Sequence, residues 1–193
     1  MKYYYSPGAC SLAGHIVALE GGLTLELEKV DLKSHVTETG ADFKKINPKG
    51  YVPALVLEDG SLLTENSAIL PYLGDKGGLM PDGLARNHAQ EWIGFINSEV
   101  HKSFAPLFHG GSAEEKAKAA EKIKSQLALA AKALTGDYLL GSKFTPPDAY
   151  LFVMLLWCEK LRIDLSDMSA LGAFKARMKA RPKVAKALAE EGL

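Results

Sequence analysis

"VPALVLEDGSLLTENS", residues 52–67, decides the fold. Two apolar runs flank Asp59-Gly60, a pair that turns a hairpin readily because glycine takes positive φ without steric cost. The segment therefore reads as two antiparallel strands. A helix comes next, starting near Asn66 or Ser67 and running to about Gly74. Pro71 lies inside it, where a proline removes a hydrogen bond and costs on the order of 3 kcal/mol in a regular interior. A kink or a short first turn is expected there.

Upstream, the chain alternates. "MKYYY" is a short aromatic strand ended by Pro7-Gly8. Leu12, Ala13, Ile16, Val17 and Leu19 then recur at helical spacing, and Gly21-Gly22 closes the helix. "TLELEKVDL" reads as a strand, and a short irregular helix is expected around Ala41–Lys45. The order is β-α-β-α-β-β-α.

Downstream the texture changes. "GGLMPDG" is a connector, and all beyond it reads as helix. We expect a domain at 1–76, a linker at 77–84 and an all-helical domain at 85–193. Residues 85–109 read as one helix with Trp92, Ile96, Val100 and Phe104 as its apolar stripe, widened by Ile93, Leu107 and Phe108. That pattern leaves Gly94, Ser98, His101 and Lys102 on the solvated face. Gly94 costs about 1 kcal/mol relative to alanine in a helix, which suggests close packing against it. "SAEE" at 112–115 is a capping box opening a helix with Ala120, Ile123, Leu127 and Leu134 facing inward. "FTPPDAYLFVMLLWC" opens another, with Thr145 at the N-cap, Asp148 three residues on and Phe144 as a staple. Pro182 suits the first turn of a last helix, 182–191.

Composition excludes several classes. Of 193 residues, 47% are hydrophobic and 24% charged, the make-up of a globular protein. Basic and acidic residues both total 23, so no basic footprint of a nucleic-acid binder is present. The longest apolar run, "AYLFVMLLWC", is half of the roughly 20 residues a bilayer span needs, which argues against a membrane protein. No signal-peptide pattern opens the chain. Cys10 and Cys158 form no disulfide framework, and the expected home is the reducing cytoplasm.

Chemistry concentrates at few places. Cys10 stands where free N–H groups and the helix dipole favour a thiolate; the plainer reading is a small buried hydrophobe, which is kept for Cys158. Val52-Pro53 opens a strand. A cis proline there exposes the preceding backbone to a ligand, although local sequence alone favours a trans edge-strand proline. Glu65 could hold an ammonium group while Asn66-Ser67, at a helix N-terminus, binds a carboxylate; a plain N-cap with a solvated glutamate fits equally. His15, His88 and His109 lack metal-ligand spacing, and no metal site is expected.

Taken together, "SPGACSLAGHI", "NPKGYVPAL", "LTENSAI", "SEVHKSFAPLF", "FTPPDAYLF" and the closing "EEGL" resemble the glutathione S-transferases, and within them the bacterial beta class. The resemblance covers essentially the whole chain. It implies an α/β thioredoxin-like N-terminal domain plus an all-α C-terminal domain, glutathione as co-substrate with a small electrophile, and a homodimer. By the same resemblance Cys10 contacts the glutathione sulfur, Val52 before a cis Pro53 bonds the tripeptide backbone, and Glu65 and Asn66 hold its γ-glutamyl end. Ser98, Glu99, Val100 and His101 match the segment that lines the site, partly from the neighbouring subunit, and His101 and the Ser11 hydroxyl join Cys10 as catalytic candidates. Thr145 and Asp148 match a structural capping box. His35 stands where a lysine is common, Gly94 replaces an asparagine, and Asn66 and Pro71 differ from the usual small residue and glutamine. Conjugation to small hydrophobic electrophiles is the leading function. A thiol-disulfide or peroxide reductase using Cys10 is the first alternative, and a non-catalytic binding protein the second.

Overall fold

The computed structural model describes residues 1–193. Strand β1 (Lys2–Tyr5) lies mid-sheet and puts its three tyrosines on alternate faces. Tyr3 and Tyr5 join the main core, while Tyr4 packs with Val30, Phe43, Val52 and Ala54 beneath the sheet. Helix α1 (Leu12–Glu20) crosses over to β2 (Glu26–Asp31), which runs parallel to β1 with Tyr3 opposite Leu27. The hairpin is formed as expected. β4 (Ala54–Val56) pairs antiparallel with β5 (Leu62–Thr64), and β4 also pairs with β1. Gly60 sits at φ 83°, the left-handed residue of the three-residue turn.

One element between β2 and β4 is additional to the expected order, and the expected short helix is present. A two-residue strand, β3 (Val36–Thr37), pairs on the outside of β2 and gives the sheet order β3-β2-β1-β4-β5. The irregular helix is a single turn, α2 (Phe43–Ile46), with Asp42 accepting from the Lys44 N–H at its start. Helix α3 (Asn66–Lys76) runs on through Pro71. The ring leaves only the Ser67 carbonyl without its helical donor, and Ser67 is exposed to water, which can supply one.

The second half is helical. The expected single helix over 85–109 is instead α4 (Gly83–Phe95), a π turn (Ile96–Val100), a 3-10 turn (His101–Phe104) and the one-turn α5 (Ala105–Phe108). The His101 N–H reaches back five residues to the Ile96 carbonyl, and the Ala105 N–H only three to Lys102. Pro106 has no N–H for the Lys102 carbonyl, which favours the tightened turn. Helix α6 (Ala113–Ala133) opens with the Ser112–Glu115 box. Its buried face is Ala119, Ile123, Leu127 and Ala130, and the expected Ala120 and Leu134 are only half-buried.

Helix α7 (Pro146–Lys160) is apolar all round and central, with every residue from Ala149 to Met154 fully buried. Helices α8 (Ser169–Lys179) and α9 (Pro182–Glu190) complete the chain. One core of 35 buried residues runs through both halves, because α1 packs on α3 on one side and on α7 and α9 on the other. No helix is long and apolar enough to cross a membrane.

Candidate functional site

The turn Ser6–Ser11 between β1 and α1 sits where the two halves meet. Gly14 lets α1 lie against β1, since a Cβ there would stand 2.3 Å from the Tyr3 hydroxyl. That hydroxyl donates to the Ser11 carbonyl at 2.6 Å. The helical half grips the same turn. The Trp157 indole donates to the Gly8 carbonyl at 2.8 Å, and Glu191 Oε2 accepts the Gly8 N–H at 2.9 Å.

Cys10 is half-buried, and its thiol donates to the Val52 carbonyl at 3.4 Å. Its Sγ faces the backbone N–H groups of Cys10 and Ser11, as a helix N-terminus should provide. Burial works against the expected thiolate in the free protein. Burial pushes the thiol up to about 12, Glu65 adds to the rise, and the two N–H groups offset only part of it. Cys158 is buried and its thiol is likewise pushed up to about 12, as a core residue should be.

The Ser11 hydroxyl donates to the Ser6 carbonyl at 3.3 Å, and the Ser6 N–H approaches it at 3.2 Å. Ser11 is fully buried. It staples the turn and has no free face toward a ligand.

The Val52-Pro53 peptide is cis, so the trans form favoured by local sequence is overturned. Val52 bonds Cys10 through its carbonyl, and its N–H has no partner in the chain. Glu65, not Asn66 or Ser67, occupies the N-cap of α3 and does so at φ 72°, a conformation costly for a non-glycine residue. Its carboxylate already holds an ammonium group, that of Lys49 at 3.0 Å. Asn66 is 2% exposed. Its Nδ2 donates to the Cys10 carbonyl at 3.0 Å, while its buried Oδ1 has no partner.

His35 lies apart on the β2–β3 turn at φ 56°, with its ring against Gly50 and its buried Nδ1 unpartnered. The segment 98–101 divides. Val100 is fully buried in the core, Ser98 is exposed, and Glu99 pairs with Lys122 at 3.5 Å.

His101 is not on a solvated face. The π turn inserts one residue, which rotates the later residues by about 100° about the axis, and the ring turns inward. It meets Trp157 edge-on at 4.9 Å and bonds the Tyr150 hydroxyl at 2.6 Å. Burial lowers its pKa to about 4 despite the opposing field of Glu65, so it is neutral at ordinary pH. Gly94 is exposed, and nothing lies within reach of a Cβ there, so the expected close packing is absent from the chain itself.

Family models of the glutathione S-transferase N-terminal domain and C-terminal domain match residues 8–76 and 95–182. The chain is 41% identical to glutathione S-transferase GstA of Escherichia coli O157:H7, with all of both chains covered. It belongs to the glutathione S-transferase family. A sphingomonad glutathione S-transferase solved in complex with glutathione is 46% identical and superposes with a TM-score of 0.95 over all of both chains. A bacterial beta class transferase of Sphingomonas chungbukensis, 45% identical, gives the same TM-score and coverage.

Reading the sequence of this transferase for chemistry misses Tyr150, Trp157 and Glu191. The first two sit inside an apolar run that periodicity assigns to core, and only the π turn reveals that Tyr150 faces His101. Glu191 lies in the closing "EEGL" that contributed to the family resemblance, but nothing local ties it to Gly8.

Proposed function

We propose that the cleft beside Cys10 binds glutathione and presents its thiol, as the anion, to a small apolar electrophile. The observation that carries this is the set of unpaired backbone donors in one place: the N–H groups of Cys10 and Ser11 at the sulfur, Val52 beside them, and the first turn of α3 behind Glu65. A second sulfur anion brought to the helix end gains those donors. Val52 offers N–H and C=O to a peptide backbone, Glu65 takes the α-ammonium in competition with Lys49, and the N-terminus of α3 at Asn66 takes the adjacent carboxylate. His35 stands on the side where the glycyl end would lie, and Ser98 and Glu99 on the surface open to a second subunit. The half-exposed Phe108, edge-on to Trp157 at 4.9 Å, offers an apolar face for the electrophile. In the reaction the sulfur bonds carbon, a group such as chloride leaves with the electron pair, and the thiol proton goes to solvent.

A thiol held near 12 in the free protein is a poor standing nucleophile. This favours conjugation over a Cys10-centred reductase. Exposed Leu84 and the open surface at Gly94 support a homodimer, and two unpaired thiols support the reducing cytoplasm.

The test combines calorimetry of reduced glutathione with turnover of 1-chloro-2,4-dinitrobenzene. Wild type should bind and turn over, Glu65→Gln should bind at least about tenfold more weakly, and Cys10→Ala should keep conjugation. Loss of all conjugation in Cys10→Ala with disulfide exchange present in wild type would favour the reductase. Binding without turnover would favour a non-catalytic protein.

A further inference from the structure

The contacts assigned to glutathione leave a buried polar chain unused. Tyr150 of α7 is fully buried, yet its hydroxyl bonds two groups, with the amide of Asn66, itself able to donate to the phenol oxygen, beside them. The hydroxyl donates to Asn97 Oδ1 at 3.0 Å and lies 2.6 Å from His101 Nδ1. A phenol has one proton. Given to Asn97, that proton cannot also go to His101, so Nδ1 must itself carry hydrogen and donate to Tyr150. A neutral imidazole with hydrogen on Nδ1 has a lone pair on Nε2.

Nε2 makes no hydrogen bond within the chain and is not closed off from solvent. The ring is held at its edge by Trp157, whose indole also bonds the carbonyl of Gly8, two residues before Cys10. Tyr150 lies close enough to Cys10 and Asn66 to feel both, and Asn66 in turn bonds the Cys10 carbonyl. His101 and the thiol turn are thus fixed to one another through a few side chains.

We infer that Tyr150 and Asn97 are positioning residues that lock His101 into the tautomer with a bare Nε2, so that the ring offers the thiol site a hydrogen-bond acceptor and not a donor. The acceptor's use rests on the glutathione reading: a thiol S–H, or the water that carries its proton away, is what such a group would take. The tautomer does not rest on it.

The test is a proton–nitrogen correlation spectrum of the full chain with labelled histidine, recorded without glutathione. The expected result is one ring, absent in His101→Gln, with a protonated Nδ1 and an unprotonated Nε2. Tyr150→Phe removes the acceptor for Nδ1 and should give a mixture of both forms. Asn97→Ala frees the phenol proton to turn toward Nδ1 and should shift the ring to the Nε2–H form; it also serves if Tyr150→Phe fails to fold. With glutathione and the chlorodinitrobenzene, either folded variant should lose kcat by about tenfold with KM for glutathione within about twofold of wild type. An Nε2–H ring in wild type, meaning that the Asn97 amide is turned round, overturns the inference. So does a tautomer unmoved in every folded variant, or a rise in KM at unchanged kcat. Absence of wild-type turnover alongside the expected tautomer counts against the proposed function alone.

Discussion

Cys10 shows two opposed effects acting on one atom. The helix end supplies a partial positive charge and two N–H groups, which favour the anion, and the surrounding protein removes water, which disfavours it. Pro7-Gly8 before a helical pattern made the first legible in the sequence. The second was not legible, because the groups that close around Cys10, Val52 at its sulfur and Asn66 at its carbonyl, are brought to it only by the fold. The outcome is measurable. In a Cys158→Ala background, alkylation of Cys10 in the free protein should be slow at neutral pH and climb through the alkaline range toward a midpoint near 12. A rate already on its plateau at neutral pH would show that the dipole wins. The folded thiol pKa is raised above its ordinary 9.0. Its contribution to stability is therefore full below that value and is lost as pH rises toward 12.

At the scale of elements, the best-read parts were those whose signal is local. The Asp59-Gly60 hairpin and the caps of α6 and α7 carry their own chemistry within a few residues. Asp148 is fully buried and accepts from the Leu139 N–H at 2.9 Å and from both the N–H and the hydroxyl of Thr145 at 2.8 Å. Asp148→Ala leaves those donors unpaired at the head of the central helix. At about 1–3 kcal/mol for each buried group, urea denaturation should show a loss of about 3 kcal/mol or more, and a loss below about 1 kcal/mol would mean that water replaces the carboxylate. The poorly read parts were those set by tertiary demands. β3 is two residues long and has no period to detect. The π turn exists because the apolar stripe and the inward-turned His101 cannot both be met by an unbroken α-helix, and an i,i+4 stripe in the sequence looks the same with or without it.

For the whole molecule, α1 is held along its length by the end of the chain. Arg181 grips Glu20 with two bonds of 2.6 and 2.7 Å at its C-terminus. His15 in its middle lies between Glu190 at 2.8 Å and Glu191 at 3.0 Å. Before its N-terminus, Gly8 is bonded at both peptide groups by Glu191 and Trp157. The thiol turn is therefore positioned as much by the helical half as by the sheet that carries it, which is why neither half alone accounts for the site. Glu191 has both oxygens committed and a fully buried side chain. Glu191→Leu keeps much of the volume but removes both acceptors, leaving the Gly8 N–H and the buried His15 Nδ1 without their partner. The loss should be about 1–3 kcal/mol, lowering the melting temperature by roughly 2–4 °C for each kcal/mol. Because the turn then loosens, Cys10 should become several-fold more reactive toward alkylation at fixed pH in the Cys158→Ala background. A lower melting temperature with unchanged Cys10 reactivity would confine the clamp to holding the fold, whereas faster alkylation would show that the chain end sets the environment of the thiol.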